Sequence, residues 1–327
     1  MASLTVMYDK HPHIPMIITQ AHIDKMRACI SGELNWCGDE DECLRRGYDA
    51  DALFIWGGTK PIPERYIAQS KNLKWIHTFS AGYDPLAQSA AVQEKQLIVT
   101  NAKGIHGPIM SVTTLGYIIS FLRRSPELFR AQQKHVWVRR FENGEPASPV
   151  GKVACIVGAG AIGTETARLC KAIGMKTIGV KRSVKPLEHF DQVMSNAQLD
   201  EALAQADFVI VVTPHTPETY HMIDAGRLAC MKSSAVLINI GRGPVVDTDA
   251  LTEALQKGII GGAALDAVEP EPLPENHPLW DMPNVIVSPH CSAVYAEYID
   301  DAVDQFCDLL RRFEAGEPLY NLVDLKA

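Results

Sequence analysis

The feature that most constrains the fold is a regular alternation that begins near residue 151. From there, short apolar runs rich in Val and Ile alternate with helical patterns, which is the order that parallel βαβ units require. The runs predicted as strands are 153–158, 177–180, 208–213, 235–241, 262–266 and 285–289. We expect these strands to be buried on both faces, in a doubly wound parallel sheet that has helices on either side.

The first hundred residues show a looser alternation, which indicates a smaller α/β domain. Strands are predicted at 4–8, 52–57 and 74–79, with a helix at 18–30 and one clear loop at 141–149. A helical pattern at 108–124 carries the chain into the large domain, and another at 300–318 carries it back. The N-terminal domain is therefore expected to be completed by the C-terminal tail.

Composition narrows the class of function. The formal net charge is −8 at pH 7, and a negative mean field opposes non-specific attraction to nucleic acid or to an anionic membrane. No stretch approaches the 18 or so uninterrupted apolar residues that a membrane-spanning helix needs. The eight cysteines contain no C-x-x-C pair, so we interpret them as reduced thiols of a cytoplasmic protein. We expect a small-molecule ligand, no nucleic acid and no membrane.

A glycine-rich turn, VGAGAIG at 157–163, matches G-x-G-x-x-G through Gly158, Gly160 and Gly163. The first glycine allows a tight turn, the second lets the backbone approach a pyrophosphate, and the third lets the helix pack on the strand. The motif is weak alone, but here it follows a predicted strand and opens a predicted helix. The alternatives are a purely structural turn and a methyl-donor site that uses a similar loop.

The next strand ends in a basic run, Lys181, Arg182 and Ser183. In NAD-binding units of this kind an Asp or Glu about 20 residues after the glycines binds the ribose 2′-hydroxyl. A 2′-phosphate would be attracted by the two cations, and Ser183 can donate a hydrogen bond to it. One charge pair at 4 Å and an effective dielectric of 20 amounts to roughly 4 kcal/mol before desolvation. We predict NADP(H) over NAD(H); the alternative is that the cations merely face solvent.

Three later strands end in reactive residues, namely Arg242, Asp266 and His290. Ligands of open α/β sheets bind outside the carboxyl ends of the strands. A catalyst that reduces a ketone next to a carboxylate needs a cation for the acid and a proton donor for the oxygen. Arg242 offers a planar fork, and His290 titrates near neutral pH. Glu271 is the acid expected to pair with His290 and to raise its pKa.

Each of these residues also has a purely structural interpretation. Arg242 could bind a helix C-terminus, His290 could be a core histidine, and Glu271 could be one more loop acid. Their convergence on one sheet edge favours a site. The other histidines show no such pattern, and His215 is interpreted as a loop residue near an adenine. No cluster has metal-ligand spacing, so no metal is predicted.

The residues resemble the D-isomer-specific 2-hydroxyacid dehydrogenase family over nearly the whole chain. The matching stretches are GAGAIG, INIGRGPVVD, GAALDAVEPEPLPENHPLW and NVIVSPH, with IWGG (55–58) and FSAGYD (79–84) in the first domain. Among its branches, the chain looks most like NADPH-dependent glyoxylate/hydroxypyruvate reductases. The resemblance implies an α/β fold of two Rossmann-like domains. We expect a substrate-binding domain at 1–103 plus 292–327 and a dinucleotide-binding domain at 104–291.

The resemblance also implies residue roles. Arg242 would bind the substrate carboxylate and carbonyl, His290 would be the general acid, and Glu271 would pair with His290. Substrate would further meet backbone N–H groups of Ala81 and Gly82, and Trp56. The cofactor would be held by residues at the strand ends and in the glycine turn: Gly158, Gly160, Ala161, Ile162, Gly163, Lys181, Arg182, Ser183, Thr213, Pro214, Ile240, Gly241 and Asp266. D stereochemistry and a homodimer formed through the nucleotide domain are implied in the same way.

These points predict an NADPH-dependent reductase of a small 2-keto acid. Hydride passes to the carbonyl carbon while His290 protonates the oxygen. Two alternatives stay open. A formate-dehydrogenase-like oxidation is disfavoured because such relatives place an amide where Glu271 stands. A corepressor-like, dinucleotide-sensing binding module is disfavoured because those relatives usually carry extensions beyond the catalytic core, of which this chain has almost none.

Overall fold

The structure is a computed structural model that describes residues 2–8, 17–56, 62–141 and 144–325. The chain forms two compact units, which we call unit 1 (1–106 with 294–327) and unit 2 (107–293). The predictions that concern Gly57 and Gly58 of the IWGG stretch lie outside the described residues. Within the described part, no helix combines the length and the apolar character needed to cross a membrane.

Unit 1 is built on a five-stranded sheet of order β2-β1-β3-β4-β5, and every pairing is parallel. Its strands are β1 (Leu4–Met7), β2 (Leu34–Cys37), β3 (Ala52–Ile55), β4 (Trp75–Thr78) and β5 (Ile98–Asn101). Its first helices are α1 (Gln20–Arg27), α2 (Glu40–Arg46), α3 (Glu64–Gln69), α4 (Asp84–Ala87) and α5 (Ala90–Lys95). The three predicted strands are confirmed. The sequence interpretation missed β2 (LNWC) and β5 (IVTN), because each is only four residues long and includes an Asn, a residue that is depleted in strands.

One pair of cysteines corrects the prediction of reduced thiols. Cys37 and Cys43 form a disulfide in the structure, with Cα atoms 5.7 Å apart, which lies within the usual range for such bridges. Cys37 ends β2 and Cys43 lies in α2, so the tight turn between strand and helix brings the pair together. The search for C-x-x-C spacing could not reveal a pair separated by six positions. The other six cysteines are free thiols.

Unit 2 contains a seven-stranded parallel sheet of order β12-β11-β10-β9-β6-β7-β8. The helices are α6 (Gly107–Leu122), α7 (Ser125–Gln133), α8 (Ala161–Ala172), α9 (Leu199–Gln205), α10 (Ala225–Cys230) and α11 (Thr248–Gln256). The strands are β6 (Val153–Val157), β7 (Lys176–Val180), β8 (Gln192–Met194), β9 (Phe208–Val211), β10 (Val236–Asn239), β11 (Gly262–Leu265) and β12 (Val285–Val287). The six predicted strands are confirmed, and β8 was missed.

The core of unit 2 lies on both faces of its sheet. In β6, Ala154 and Ile156 pack with residues of α6 and α8, whereas Cys155 and Val157 pack with residues of α9, α10 and α11. Successive side chains of a strand point to opposite faces, so each face of β6 is covered. The expectation of complete burial is wrong for β12, whose three residues are half-buried because β12 is an edge strand. It is also wrong for Val153, the first residue of β6, which is half-buried.

Unit 1 is completed by the last helix, α12 (Tyr298–Ala315). Its buried residues recur on one face, and Phe306 packs with its ring centroid 4.5 Å from that of Phe54 in β3. The opposite face is acidic and carries Asp300 and Asp304, which pair with His22 and Lys25 of α1. Two Rossmann-like domains, the first completed by the C-terminal tail, are thereby confirmed.

Candidate active site at the carboxyl edge of the seven-stranded sheet

The glycine-rich turn lies where the strand order of unit 2 reverses, between β6 and β9. Gly158 follows β6 with φ of +109°, and a Cβ there would lie 2.9 Å from the carbonyl carbon of Val212, just after β9. A Cβ on Gly163 would lie 2.3 Å from the Gly158 oxygen, so this glycine allows helix α8 to pack on the strand. A Cβ on Gly160 would meet nothing within 4 Å. Open space therefore lies in front of Gly160, where a pyrophosphate is expected.

The residues around this turn fit a dinucleotide. Helix α8 begins at Ala161, and Gly160 provides no side-chain cap for its first N–H groups, so these donors can meet an anion. Thr213 Oγ1 is buried and has no hydrogen-bond partner. A buried hydroxyl of this kind calls for a ligand or a water molecule. Gly241 is also buried, and a Cβ there would lie 2.8 Å from the Thr213 oxygen. Pro214 is exposed.

The basic run follows β7 as predicted. Lys181 is held through its backbone, whose N–H donates to the Met194 oxygen at 3.1 Å. Among the described residues, the side chains of Lys181 and Arg182 form no hydrogen bond or ion pair, and Arg182 and Ser183 are exposed. The pKa of Glu218 is lowered chiefly by the Thr216 hydroxyl and, to a smaller extent, by the charge of Arg182. Both cations are thus available to an anionic ligand.

Asp266 orders the segment that carries His290. The carboxylate is 2% exposed, and its Oδ1 accepts from Ser288 Oγ at 2.6 Å and from the Cys291 N–H at 2.9 Å. Its Oδ2 accepts from the Ser292 N–H at 2.9 Å, and its backbone oxygen accepts from the His290 N–H at 3.0 Å. Both oxygens of Asp266 are therefore engaged within unit 2. The predicted contact of Asp266 with the cofactor stays a prediction.

His290 and Glu271 form the central pair of the site. Nδ1 of His290 lies 2.7 Å from Oε1 of Glu271, and each side chain is 43% exposed. His290 has φ of +50°, a left-handed conformation that costs energy for a residue other than glycine. The hydrogen bond to Glu271 raises the pKa of His290 above its ordinary value, against a smaller lowering by burial. Glu271 thus favours the protonated imidazolium.

Arg242 lies on the loop after β10, close enough for its charge to oppose protonation of His290. Its Nη1 donates to the Gly241 oxygen at 3.0 Å. The loop is braced by Asn239, which is fully buried and whose Nδ2 donates to the oxygens of Arg242 and Ala267 at 3.2 and 3.0 Å. Asn239 Oδ1 also accepts from the Gly241 N–H at 3.1 Å. Ile240, between them, is buried.

In unit 1, the predicted substrate residues lie in and beside the turn after β4. The Ala81 oxygen accepts from Asn101 Nδ2 at 2.8 Å, and the Gly82 oxygen accepts from Ser80 Oγ at 2.6 Å. Neither the Ala81 nor the Gly82 N–H donates to a described residue. Trp56 is half-buried, with its ring centroid 5.1 Å from that of Phe79 in an edge-on arrangement. The turn therefore has two backbone N–H groups free to donate, while Asn101 and Ser80 hold its carbonyl oxygens.

The structure brings together four of the predicted residues within unit 2, namely Arg242, Asp266, Glu271 and His290. The residues that support them were not predicted. Asn239 could have been suspected, because a polar residue inside an apolar strand pattern is uncommon. Ser288 and Tyr117, whose hydroxyl oxygens are 2.6 Å apart, carried no recognisable signal. Burial raises the pKa of Tyr117 to about 12, which keeps its hydroxyl protonated.

The arrangement can bind a small anion and transfer a proton. A guanidinium, an imidazole with a raised pKa and a carboxylate partner lie on the sheet edge that also carries the glycine turn. This is the combination that reduction of a carbonyl next to a carboxylate requires. Within the described residues, no group of three or more His, Cys, Asp or Glu side chains could hold a metal ion.

Comparison with known proteins agrees with this chemistry. Residues 115–292 match the model of the NAD binding domain of D-isomer specific 2-hydroxyacid dehydrogenases. The chain is 33% identical over 294 residues to a glyoxylate reductase of Thermofilum pendens, covering 87% of this chain and 86% of that protein.

Solved structures show the same likeness. A D-isomer specific 2-hydroxyacid dehydrogenase of Xanthobacter autotrophicus, in complex with NADPH and MES, is 30% identical with a TM-score of 0.82, covering 100% of this chain and 99% of that chain. An NADPH-dependent glyoxylate/hydroxypyruvate reductase of Sinorhizobium meliloti, in complex with NADP and sulfate, is 26% identical with a TM-score of 0.83, covering 99% and 98%.

Proposed function

The chain belongs to the D-isomer specific 2-hydroxyacid dehydrogenase family, an oxidoreductase family, and from that premise we propose that it reduces a small 2-keto acid with NADPH. The product would be the D-2-hydroxy acid, and the substrate would be of the glyoxylate or hydroxypyruvate type. The observation that supports this proposal most is the 2.7 Å contact between His290 and Glu271. That contact lies on the sheet edge that also carries Arg242 and the glycine turn.

Each residue of the pair has a defined task. The His290 imidazole is protonated with the help of Glu271, and its Nε2–H donates a proton to the carbonyl oxygen as that oxygen becomes an alkoxide. Because Nδ1 faces Glu271, the imidazole is oriented with Nε2 free for the substrate. Arg242 holds the substrate carboxylate through its planar guanidinium, and its positive charge also stabilises the developing negative oxygen.

The cofactor would lie along the glycine turn. When bound, the reduced nicotinamide supplies a hydride to the carbonyl carbon. The first amides of α8, at Ala161 and Ile162, would bind the pyrophosphate, and Thr213 Oγ1 would gain a partner. Lys181, Arg182 and Ser183 would bind a 2′-phosphate, which favours NADP(H) over NAD(H). The named complexes of the Xanthobacter and Sinorhizobium proteins with NADPH or NADP support this preference.

Substrate contacts from unit 1 are proposed on local grounds. The free amides of Ala81 and Gly82 can donate to a carboxylate in the way that a backbone nest does. Trp56 would contact the remainder of the substrate. The substrate-binding role of unit 1 and a cytoplasmic location are kept as predictions.

We also propose that the protein is a homodimer formed through unit 2. No residue of α7 is buried, and this includes large apolar side chains. Phe129 in that helix is 65% exposed, and Trp137, which follows the helix, is 86% exposed. Ile119 of α6 and Leu128 of α7 are exposed to 42% and 40%. Large apolar side chains clustered along one stretch of surface mark an association site. A second copy of the chain can cover such a surface in a closed, symmetric pair.

The proposed reaction is tested by His290→Asn, because Asn tolerates the left-handed backbone of this position. NADPH oxidation is followed at 340 nm with glyoxylate, hydroxypyruvate and a panel of other 2-keto acids, at about pH 7. We expect a kcat lower by about 10²–10⁴-fold, with NADPH binding preserved in a fluorescence titration. An unchanged kcat would remove His290 from the reaction. A wild-type protein that binds NADPH but turns over no 2-keto acid would favour the dinucleotide-sensing binding module.

A further inference from the structure

A second histidine, His221, joins the two loops that carry the proposed catalytic residues. Nε2 of His221 lies 3.0 Å from Oε2 of Glu269, and Nδ1 lies 3.6 Å from Oδ2 of Asp247. Asp247 belongs to the loop that begins at Arg242. Glu269 lies two residues before Glu271. The side chain of His221 therefore touches both loops at once.

The backbone around His221 is tied to the first of these loops. The His221 N–H donates to the Pro244 oxygen at 2.8 Å, and the Ile223 N–H donates to the Val245 oxygen at 3.0 Å. In return, the Asp247 N–H donates to the Ile223 oxygen at 3.0 Å. The segment at 221–223 thus runs along the loop that begins at Arg242, so any shift of His221 relative to that loop would break these bonds.

The second loop depends on His221 for much of its anchoring at Glu269. The Glu269 N–H donates to Thr248 Oγ1 at 3.2 Å, and its carboxylate accepts from His221. None of the described residues forms a hydrogen bond with the backbone of Glu271, whose side chain is bound to His290. Because only one residue separates Glu269 from Glu271, the position of the Glu271 carboxylate follows the position of Glu269.

The His221 ring is itself held in place. Tyr220 stacks on it with centroids 4.0 Å apart and planes 15° from parallel. His221 also has φ of +46°, and a non-glycine residue keeps such a conformation only when its surroundings hold it there. The ring is only 32% exposed, so its contacts with two carboxylates are partly shielded from solvent. A histidine held in this way is more than a solvated loop residue.

We propose that His221 is a positioning residue, which aligns Glu271 with His290 by holding Glu269 against the loop that begins at Arg242. This inference rests on the proposed general-acid role of His290 and adds the element that keeps its carboxylate partner in place. His221 itself touches neither substrate nor cofactor in this scheme. Its ring faces the carboxylates of Asp247 and Glu269, whereas His290 faces Glu271, Arg242 and Asp266.

The test is His221→Asn, which keeps a residue that tolerates the left-handed conformation but is too short to reach Glu269. In keto-acid reduction we expect kcat to fall about 10- to 100-fold, as a small misplacement of catalytic groups does. Because Glu271 would hold His290 less well, the alkaline limb of kcat/KM should also move to lower pH. The KM for NADPH should stay within about twofold, since the cofactor residues are untouched.

His189→Asn is the matched control. His189 also has a left-handed backbone, with φ of +67°, and its Nε2 lies 3.4 Å from Oε1 of Glu188. It belongs to unit 2, and in the described part of the chain no hydrogen bond or ion pair joins it to either catalytic loop. We expect His189→Asn to leave kcat and the alkaline limb at their wild-type values.

A second pair of variants, at Glu269, distinguishes the loss of positioning from a folding defect caused by the substitution of His221. Glu269→Ala should reproduce the effects of His221→Asn, and Glu269→Gln should restore most of kcat because its amide oxygen still accepts from His221. The inference is overturned if the His221→Asn and Glu269→Ala proteins are folded and the alkaline limb of their kcat/KM profiles stays at the wild-type pH, whether or not kcat falls. The separate His290→Asn measurement shows whether the proposed reaction itself has failed.

Discussion

Glu271 Oε1 lies 2.7 Å from Nδ1 of His290, and this contact raises the pKa of His290, the proposed general acid, above its ordinary value. The two residues are 19 positions apart in the sequence. They meet because β11 and β12 are parallel neighbours in the sheet, so the loop after β11 lies beside the end of β12. The contact sets the pH range in which His290 carries the proton that the reduction needs.

Glu271→Gln should move the alkaline limb of kcat/KM to lower pH. The carboxylate raises the pKa of His290, and the protonated form is active, so reduction is lost as the pH rises through that pKa. An amide removes the charge that favours protonation, and the loss then begins at lower pH. The check is a pH profile of kcat/KM for keto-acid reduction, with Glu275→Gln on the same loop as control. A limb at the wild-type pH in Glu271→Gln would contradict the pairing.

Charge removal at the end of β7 should change the cofactor preference. In the double variant Lys181→Ala, Arg182→Ala, the kcat/KM for NADPH should fall by about 10-fold or more, because two surface cations are lost from the 2′-phosphate site. NADH carries no such phosphate, so its kcat/KM should change little. Lys176→Ala, at the other end of the strand, is the control. Equal losses with both cofactors would show that the cations do not select the phosphate.

Substitution of two glycines of the turn by alanine should have different effects: one should weaken cofactor binding and the other should lower stability. Gly160→Ala places its methyl group in open space, so it should raise the KM for NADPH while costing at most about 1 kcal/mol of stability. Gly163→Ala drives its Cβ against the Gly158 oxygen, and such overpacking costs about 1–3 kcal/mol or more. Thermal unfolding should show the larger fall in Tm for Gly163→Ala. Wild-type NADPH binding by Gly160→Ala would rule out the expected path of the pyrophosphate.

Phe129→Glu should separate the proposed dimer into monomers. A charge in the centre of an apolar interface would be desolvated without a partner, which weakens association. Light scattering coupled to size exclusion gives the mass directly, and we expect it to fall from that of two chains to the 35.9 kDa of one. Leu322→Glu in unit 1 is the control, since Leu322 is 63% exposed, as Phe129 is 65% exposed. If the mass of Phe129→Glu stays that of two chains, the interface lies elsewhere.

The sequence predicted the strands best where burial makes them apolar throughout. All six predicted strands of unit 2 are present, because strands covered on both faces read as continuous apolar runs. The half-buried edge strand β12 has an apolar sequence as well, VIV. Strand β8, with the sequence QVM, lies at the sheet edge and was missed. The disulfide between Cys37 and Cys43 was missed for a related reason: its geometry depends on a turn whose shape the spacing does not reveal.

The ends of the predicted strands were enough to predict which residues converge in the candidate site, but not the hydrogen bonds that hold them. Because parallel strands all end at one edge, Arg242, Asp266 and His290 could be expected to converge from their positions alone. The hydrogen bonds of Asp266 to Ser288 and Ser292 could not be foreseen. They depend on how one loop folds back over a strand end, and no periodicity records that.

By itself the sequence determined the parallel α/β architecture, the glycine turn between strand and helix, and the edge at which reactive residues gather. These properties are local, since they follow from a repeat of apolar residues and from the backbone freedom of Gly158. The tertiary structure alone decided that Asn239 braces the Arg242 loop and that His221 meets Glu269 across 48 positions of chain. Such contacts are made between loops, where hydrogen bonds between distant residues, rather than a repeating pattern of burial, fix the position of each side chain.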